Sequence, residues 1–298
     1  MDGILPLWKP KGFTSHDCVS KARGMLKTKK IGHTGTLDPE VEGVLPLCVG
    51  KATKIVPFLT DTEKVYEAEV TLGSTTDTED ATGNTVDSAT VKDTWSEGEI
   101  QTYLDRFQGA ITQVPPMYSA VKVNGKKLYE YAREGIEVDR PSREVMIKDI
   151  QVISADRETR EETFSFSFRV VCSKGTYVRT LCVDIGKSMG YPAHMASLIR
   201  TSTADITRED CLTLDEVQEA ADEGRGEELL LPISQGLSHM PALEVDKDTK
   251  EKIKHGQVLP YPEALSVDQF LIKHAGQVLA IYQKHPAKTG LIKPVRVF

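Results

Sequence analysis

A short run early in the chain presents one carboxylate in a setting suited to nucleophilic chemistry. Residues 32–39 read Gly-His-Thr-Gly-Thr-Leu-Asp-Pro. The two glycines give the backbone access to positive φ angles, and the proline biases Asp38 away from helix and towards an extended conformation. An ordinary turn would use Asp and Gly, but it would have no use for His33, Thr34 and Thr36 beside them. We therefore predict that a loop presents Asp38 as a nucleophile.

The chain resembles the TruB-type pseudouridine synthases in this run and in several other blocks. In the family's order, the blocks are Lys9-Pro10, residues 31–54, Lys64-Val65-Tyr66, residues 114–120 (VPPMYSA), residues 172–179 (CSKGTYVR) and Leu198-Ile199-Arg200. Ordered, separated blocks along nearly the whole chain are far harder to obtain by chance than one short motif. The run Glu40-Val41-Glu42 is more acidic than in many members, which changes the charge of the loop and leaves Asp38 in place.

The resemblance implies an activity that needs neither a cofactor nor a metal ion. It implies that uridine 55 in the T-loop of tRNA is isomerised to pseudouridine by base flipping and an aspartate nucleophile, without guide RNA. This isomerisation neither gains nor loses an atom and requires no ATP, redox cofactor or metal, and the sequence has no P-loop, dinucleotide or clustered metal-ligand motif. Two alternatives stay open. One is the catalytic subunit of a guide-RNA-dependent particle, and the other is a non-catalytic RNA-binding or tRNA-folding module.

The resemblance also assigns three catalytic residues. Asp38 acts on the ribose or the base, and Arg179 keeps that carboxylate ionised, because a guanidinium can form a two-pronged pair with it. Tyr66 stacks beneath the target uracil, and its phenol is a candidate base for the C5 proton. From the sequence alone, an inward tyrosine is more often plain core, and an arginine on an amphipathic helix is more often on the surface.

Five further residues are expected to bind substrate or support the site. His33 is expected to stack in the space that the flipped base leaves, and Leu198 to close the apolar side of the pocket. Lys9 is expected to support the nucleophile loop, with a role more structural than chemical. Tyr177 and Lys174 belong to the block that carries the catalytic arginine.

Alternation and capping patterns predict the elements that position these residues. Tyr66 alternates with Ala68, Val70 and Leu72 on one face of a strand, and residues 164–172 show the same period of two. Arg179 lies near the start of a helix. Thr14 or Ser15, Ser96 and Thr213 are expected helix N-caps, and Asn124-Gly125 indicates a hairpin after a strand over residues 119–123. Strands outnumber helices without regular interleaving, which favours α+β with a mixed or antiparallel sheet.

The chain is predicted to form two domains. Residues 1–240 would be the catalytic domain, with a mobile basic flap at about 123–143 and an acidic helical stretch at 215–228. Residues 241–298 have strand-length apolar runs with turns at Gly256, Gly276 and Gly290, which indicates a small β-barrel-like module. The family resemblance implies that this module is a PUA-type RNA-binding domain.

Composition and charge bound the setting and the partner. Five cysteines in a chain of 298 residues, widely spaced, argue against a disulfide framework, and no apolar run is long enough to span a membrane. We expect a soluble, cytoplasmic monomer that binds the T-arm of tRNA, without a membrane or protein partner. The net charge is −7, yet residues 1–56 hold nine basic and five acidic residues, and residues 251–298 hold seven and three. The candidate phosphate contacts, each of which could instead be solvated surface, are Lys21, Arg23, Lys27, Lys29, Lys30, Lys284, Lys288, Lys293 and Arg296.

Overall fold

The computed structural model describes residues 1–156, 162–262 and 265–298. Contacts divide the chain into two units. The first comprises Met1–Pro39, Val44–Thr60 and Ala204–Phe298, and the second comprises Glu40–Gly43 and Asp61–Thr203. None of the helices in the described ranges combines the length and the apolar composition that a bilayer crossing requires.

The strands and helices are numbered in chain order. The strands are β1 (Gly3–Lys9), β2 (Ile31–His33), β3 (Glu42–Val49), β4 (Lys64–Leu72), β5 (Ser74–Thr76), β6 (Thr85–Ser88), β7 (Gly109–Gln113), β8 (Lys122–Val123), β9 (Lys126–Lys127), β10 (Arg143–Ala155), β11 (Phe164–Cys172), β12 (Ala193–Thr203), β13 (Ile206–Thr207), β14 (Ala242–Glu244), β15 (Leu259–Pro260), β16 (Gln269–His274), β17 (Gln277–Lys284) and β18 (Leu291–Val297). The helices are α1 (Ser15–Met25), α2 (Val56–Thr60), α3 (Glu97–Leu104), α4 (Leu128–Arg133), α5 (Val178–Met189), α6 (Leu214–Asp222), α7 (Ile233–Gly236) and α8 (Lys247–Lys254).

The second unit is built on an antiparallel sheet with the order β12-β4-β11-β10-β7. Alternate residues of β4 and β11 are buried, as their period of two predicts, including Phe164, Phe166 and Phe168. Glu42 and Gly43 pair in parallel with Ile199 and Arg200 of β12, so the sheet is mixed. The predicted α+β class with a mixed sheet is therefore confirmed.

The first unit contains two apolar clusters around β1, β3 and α1. One includes Leu5, Leu45 and Val19, and the other joins Ile4 to Leu271 and Ile281 of the C-terminal strands. Those strands form a five-stranded sheet with the order β14-β16-β17-β18-β15, which fits a PUA-like module. The whole segment lies within the first unit, and the division into domains 1–240 and 241–298 stays a prediction.

Capping and turn chemistry confirm several predicted boundaries. Thr14, Ser96 and Thr213 each form a capping box at the start of α1, α3 and α6. Asn124 and Gly125 both take positive φ angles in the two-residue turn between β8 and β9.

Two predicted elements differ in the structure, and one helix was not predicted. The strand expected over 119–123 is reduced to Lys122–Val123. The carbonyls of Val121 and Ser119 do not join a sheet, because they accept hydrogen bonds from the first two amides of α4. The acidic helix ends at Asp222, because Gly224 takes a left-handed conformation with φ +76°. Helix α8 was not predicted, since only Ile253 in its lysine-rich sequence is fully buried.

The close approach of Gly43 to β12 gives a testable constraint on stability. Gly43 has a φ of +129°, and a β-carbon there would overlap the backbone of Arg200. We expect Gly43→Ala to lower the free energy of unfolding by about 3 kcal/mol or more, because both the backbone angle and the overlap oppose a side chain. Urea denaturation measures the change. Gly98→Ala is the matched control, since Gly98 is helical with open space around it, and we expect no loss of stability.

Candidate active site

The loop that carries Asp38 is anchored on both sides of the carboxylate. The amide of Leu37 donates to the hydroxyl of Ser15 at 2.9 Å, and the carbonyl of Pro39 accepts from Lys9 Nζ at 3.0 Å and from the Gly12 amide at 2.9 Å. Lys9 is fully buried, and Asp38 itself is half-buried. The backbone position of Asp38 is thus determined by its two neighbours in sequence.

Buried contacts also orient the start of the loop. Thr34 is buried and donates from its hydroxyl to the Pro46 carbonyl at 3.3 Å. The Gly35 amide donates to Nδ1 of His33 at 3.4 Å, which orients the imidazole ring. His33 is the last residue of β2 and is half-buried, so part of its ring faces solvent. The expected stacking role of His33 stays a prediction.

Tyr66 and Leu198 lie on one face of the sheet in the second unit. Tyr66 pairs with Arg200 across β4 and β12, and Leu198 pairs with Ala68, two residues along β4. Directly opposed residues share a face, so Leu198 is a diagonal neighbour of Tyr66. The exposed fractions of Tyr66 and Leu198 are 8% and 9%. The two predicted pocket residues are therefore brought together, each with a small exposed part.

Arg179 is held by two backbone carbonyls and lies near a carboxylate. It is the second residue of α5 and is 6% exposed. Nη1 donates to the Thr78 carbonyl at 2.9 Å, and Nη2 donates to the Tyr118 carbonyl at 3.0 Å. Asp80 Oδ2 lies 3.9 Å from Nη1. Asp80 was not predicted to belong to the site, because acidic loop residues are common and no local sequence pattern distinguishes this one.

The loop of residues 78–80, which contacts Arg179, also contacts Thr180, the next residue of α5. Glu79 Oε2 accepts a hydrogen bond from the Thr180 hydroxyl at 2.7 Å, and the Glu79 backbone has a φ of +64°. Burial raises the pKa of the Glu79 carboxyl, while the Thr180 bond and the charge of Arg179 oppose that shift. Three consecutive residues, 78–80, thus contact the first turn of α5. Neither Glu79 nor Thr180 was predicted to be part of the site.

The remaining two predicted residues have defined partners. Tyr177 precedes α5; its amide donates to Gln113 Oε1 at 3.0 Å, and the Arg143 guanidinium lies 5.0 Å from the centre of its ring. Lys174 is exposed and forms an ion pair with Asp61 at 2.7 Å. A substrate phosphate would have to compete with that carboxylate. The substrate-binding roles of both residues stay predictions.

The predicted basic flap contains ordered elements. It begins with the β8–β9 hairpin and α4. Lysine and arginine side chains lie over tyrosine rings there, with Lys126 4.7 Å from Tyr131 and Arg133 5.2 Å from Tyr129. Lys126 also pairs with Glu134. Whether this segment grips RNA stays a prediction.

Lys64 is a buried cation two residues from Tyr66 on the same face of β4. It is 6% exposed, and Nζ donates to the Thr62 carbonyl at 2.5 Å. Burial, followed by the neighbouring charge of Arg200, lowers the pKa of Lys64 from its usual 10.5 to about 8. The folded protein therefore releases this proton at a lower pH than the unfolded chain does.

The lowered pKa of Lys64 predicts a stability change at alkaline pH. Between about pH 8 and 10.5 the unfolded chain holds the proton that the folded protein has lost, so wild-type stability rises with pH relative to Lys64→Met. We expect the free energy of unfolding of the wild type, minus that of Lys64→Met, to increase by roughly 2–3 kcal/mol over that range. Urea denaturation of both proteins at several pH values measures it. Buried cysteines that do not interact with Lys64, such as Cys48 and Cys182, titrate alike in both proteins and cancel in the difference. A difference independent of pH would contradict the shift.

Comparison with known proteins places these sites in a family context. Residues 23–178 match the model of the TruB family pseudouridylate synthase N-terminal domain, and residues 179–238 match that of the tRNA pseudouridylate synthase B C-terminal domain. The tRNA pseudouridine synthase B of Oceanobacillus iheyensis is 55% identical over 300 residues, which cover 100% of this chain and 98% of that protein. The protein of the same name in Bacillus subtilis is 51% identical over 302 residues, covering 100% and 97%.

Solved structures show the same fold. The chain is similar to one in a crystal structure of a Cbf5-Nop10-Gar1 complex, with a TM-score of 0.74, 26% identity and coverage of 99% of this chain and 84% of that chain. A structure of an H/ACA RNP bound to a substrate RNA gives a TM-score of 0.73 at 23% identity, with coverage of 99% and 84%.

Proposed function

The chain belongs to the TruB family of pseudouridylate synthases, and on that premise we propose that it isomerises uridine 55 in the T-loop of tRNA to pseudouridine without guide RNA. The observation that carries the proposal is the anchored loop, in which hydrogen bonds to Leu37 and Pro39 hold the backbone on both sides of Asp38. A half-buried carboxylate on an immobilised backbone is suited to attack a substrate atom at a defined position.

The proposed reaction conserves every atom. The bond from ribose C1′ to uracil N1 breaks and a bond from C1′ to C5 forms, while C5 loses a proton and N1 gains one. Asp38 supplies the carboxylate that acts on the ribose or the base. Arg179 is the proposed cationic partner of that carboxylate, since a guanidinium can form a two-pronged pair with it. Tyr66 provides the aromatic surface for the uracil, and its phenol is the candidate acceptor of the C5 proton.

We further propose that the protein acts as a monomer in the cytoplasm on the T-arm of tRNA. The relatives that match it from end to end at 51–55% identity are named tRNA pseudouridine synthase B. The second candidate is a guide-dependent enzyme, which the similarity to Cbf5 in complexes with Nop10 and Gar1 favours. The two differ in one requirement, since a stand-alone enzyme needs only the protein and the RNA.

Incubation of the purified protein with an unmodified tRNA transcript separates these candidates. Pseudouridine is mapped by chemical adduct formation and primer extension, with no other RNA or protein added. Product at position 55 supports the stand-alone enzyme. Product that appears only when a guide RNA is supplied would replace it with the second candidate.

Asp38→Asn tests whether the protein is a catalyst or only a binder. We expect tRNA affinity to be retained and pseudouridine to be absent, because an amide cannot act as the nucleophile. Gel-shift titration and primer extension measure the two properties. The matched control is Glu40→Gln, which neutralises an exposed carboxylate two residues away and should keep its activity. Wild-type product levels in Asp38→Asn would remove Asp38 from the mechanism.

The contact between Glu79 and Thr180 predicts a rate effect without a binding effect. Thr180→Ala removes the 2.7 Å bond that fixes residues 78–80 on α5, so Arg179 loses part of its support. We expect the single-turnover rate to fall roughly tenfold with tRNA affinity unchanged, since loss of such a bond is worth about 1–2 kcal/mol. Thr180→Ser should restore the rate. Ser188→Ala, on the same helix, is the control expected to leave it unchanged; an equal loss there would indicate general damage to α5.

A further inference from the structure

A basic cleft lies in the first unit, and two of the candidate phosphate contacts, Lys30 and Arg296, line it. Its volume is about 520 Å³, and it is open to solvent. Three of its lining residues are cationic and none is acidic. The lining residues are Lys30, Thr53, Lys54, Pro57, Val295, Arg296 and Val297. In a chain with a net charge of −7, a cleft lined by only one sign of charge focuses a positive potential.

Two distant parts of the sequence build this cleft. The Lys30 carbonyl accepts a hydrogen bond from the Gly50 amide at 2.8 Å, which joins Lys30 to the 3₁₀ turn Gly50–Ile55. Lys54 in that turn donates from Nζ to the Val297 carbonyl at 2.7 Å, which ties the turn to β18 and to Arg296. One main-chain hydrogen bond and one bond from the Lys54 side chain therefore bring cations from both parts around one space.

The cations of the cleft differ from many other basic side chains in this protein. Lys174, Lys284 and Lys148 each form an ion pair with an aspartate or glutamate. Within the described part of the chain, no carboxylate lies within 4.0 Å of the charged groups of Lys30, Lys54 or Arg296. An incoming anion thus meets positive charge without first displacing a protein carboxylate.

Given the proposed function, on which this assignment rests, we propose that the cleft binds backbone phosphates of the RNA substrate. The cleft is larger than one phosphate needs, and it is open, as a passing nucleic-acid strand requires. Lys30 immediately precedes β2, which leads in three residues to His33, so the cleft begins about 10 Å along the strand from the loop of Asp38. A stem that continues from a loop bound there can reach it. Arginine and lysine are the side chains that neutralise RNA phosphates.

The double variant Lys30→Ala/Arg296→Ala tests the assignment through the salt dependence of binding. The affinity for a full-length unmodified tRNA transcript is measured at several salt concentrations. We expect the slope of log affinity against log salt to become shallower by about two, because two phosphate contacts are lost. Both side chains are exposed, so the fold should persist, and thermal unfolding verifies this.

A matched variant separates a defined site from general charge loss. Lys51→Ala/Lys247→Ala removes two exposed cations, one from the same 3₁₀ turn and one from the C-terminal segment, and neither lines the cleft. We expect its slope to equal that of the wild type. An equal change in both double variants, or no change in either, overturns the proposal.

Two further outcomes keep the cleft and the proposed function distinguishable. Binding is measured without reference to product, so a protein that forms no pseudouridine but shows the predicted slope change would lose the proposed function and keep the RNA-binding cleft. Product formation with an unchanged slope would do the reverse. Calorimetric titration of the protein with inorganic phosphate should show no saturable binding. Saturable binding that Lys30→Ala/Arg296→Ala abolishes would identify a small-anion site and overturn the RNA assignment.

Discussion

The constraint on which the site depends is the fixation of the backbone around Asp38 by buried polar groups. Lys9 is fully buried and Ser15 nearly so, and their hydrogen bonds reach Pro39 and Leu37. Removing one partner of such a bond leaves a buried polar group unsatisfied at a cost of about 1–3 kcal/mol. A loop with two glycines would otherwise sample many conformations. The carboxylate is therefore presented by tertiary contacts more than by local turn preference.

Backbone carbonyls recur as the acceptors that place buried cations. They accept from Lys9, from Lys64 and, through two of its nitrogens, from Arg179. A carbonyl satisfies a donor without contributing a full negative charge, so the location of each cation follows the course of the main chain. For Arg179 that course is set by residues 78–80, which contact both it and Thr180. A substitution that moves residues 78–80 would therefore displace the Arg179 guanidinium, although Arg179 itself is unchanged.

The sequence predicted elements wherever a local pattern determines them. The period of two in β4 and β11 and the capping boxes at Thr14, Ser96 and Thr213 agree with the structure. Helix α8 escaped prediction, because its lysines mask any apolar stripe. The partners of Arg179 were not predicted for another reason. Two of them contribute main-chain carbonyls from segments distant in sequence, and every residue type carries such a carbonyl. Resemblance identified the arginine, but only coordinates identify what holds it.

Charge segregation explains how an acidic chain can serve an RNA substrate. Residues 57–100 carry eleven acidic and two basic residues, whereas both ends of the chain are basic. Because salt screens charges over about 8–10 Å, charges farther away than that subtract little from a local positive potential. What matters is whether basic side chains near the substrate are already paired. Lys174 and Lys284 are paired with Asp61 and Asp268. Counting basic residues in the sequence therefore overstates how many can bind phosphate. Ion pairing within the fold thus decides which cations can contribute to RNA binding, and net charge does not.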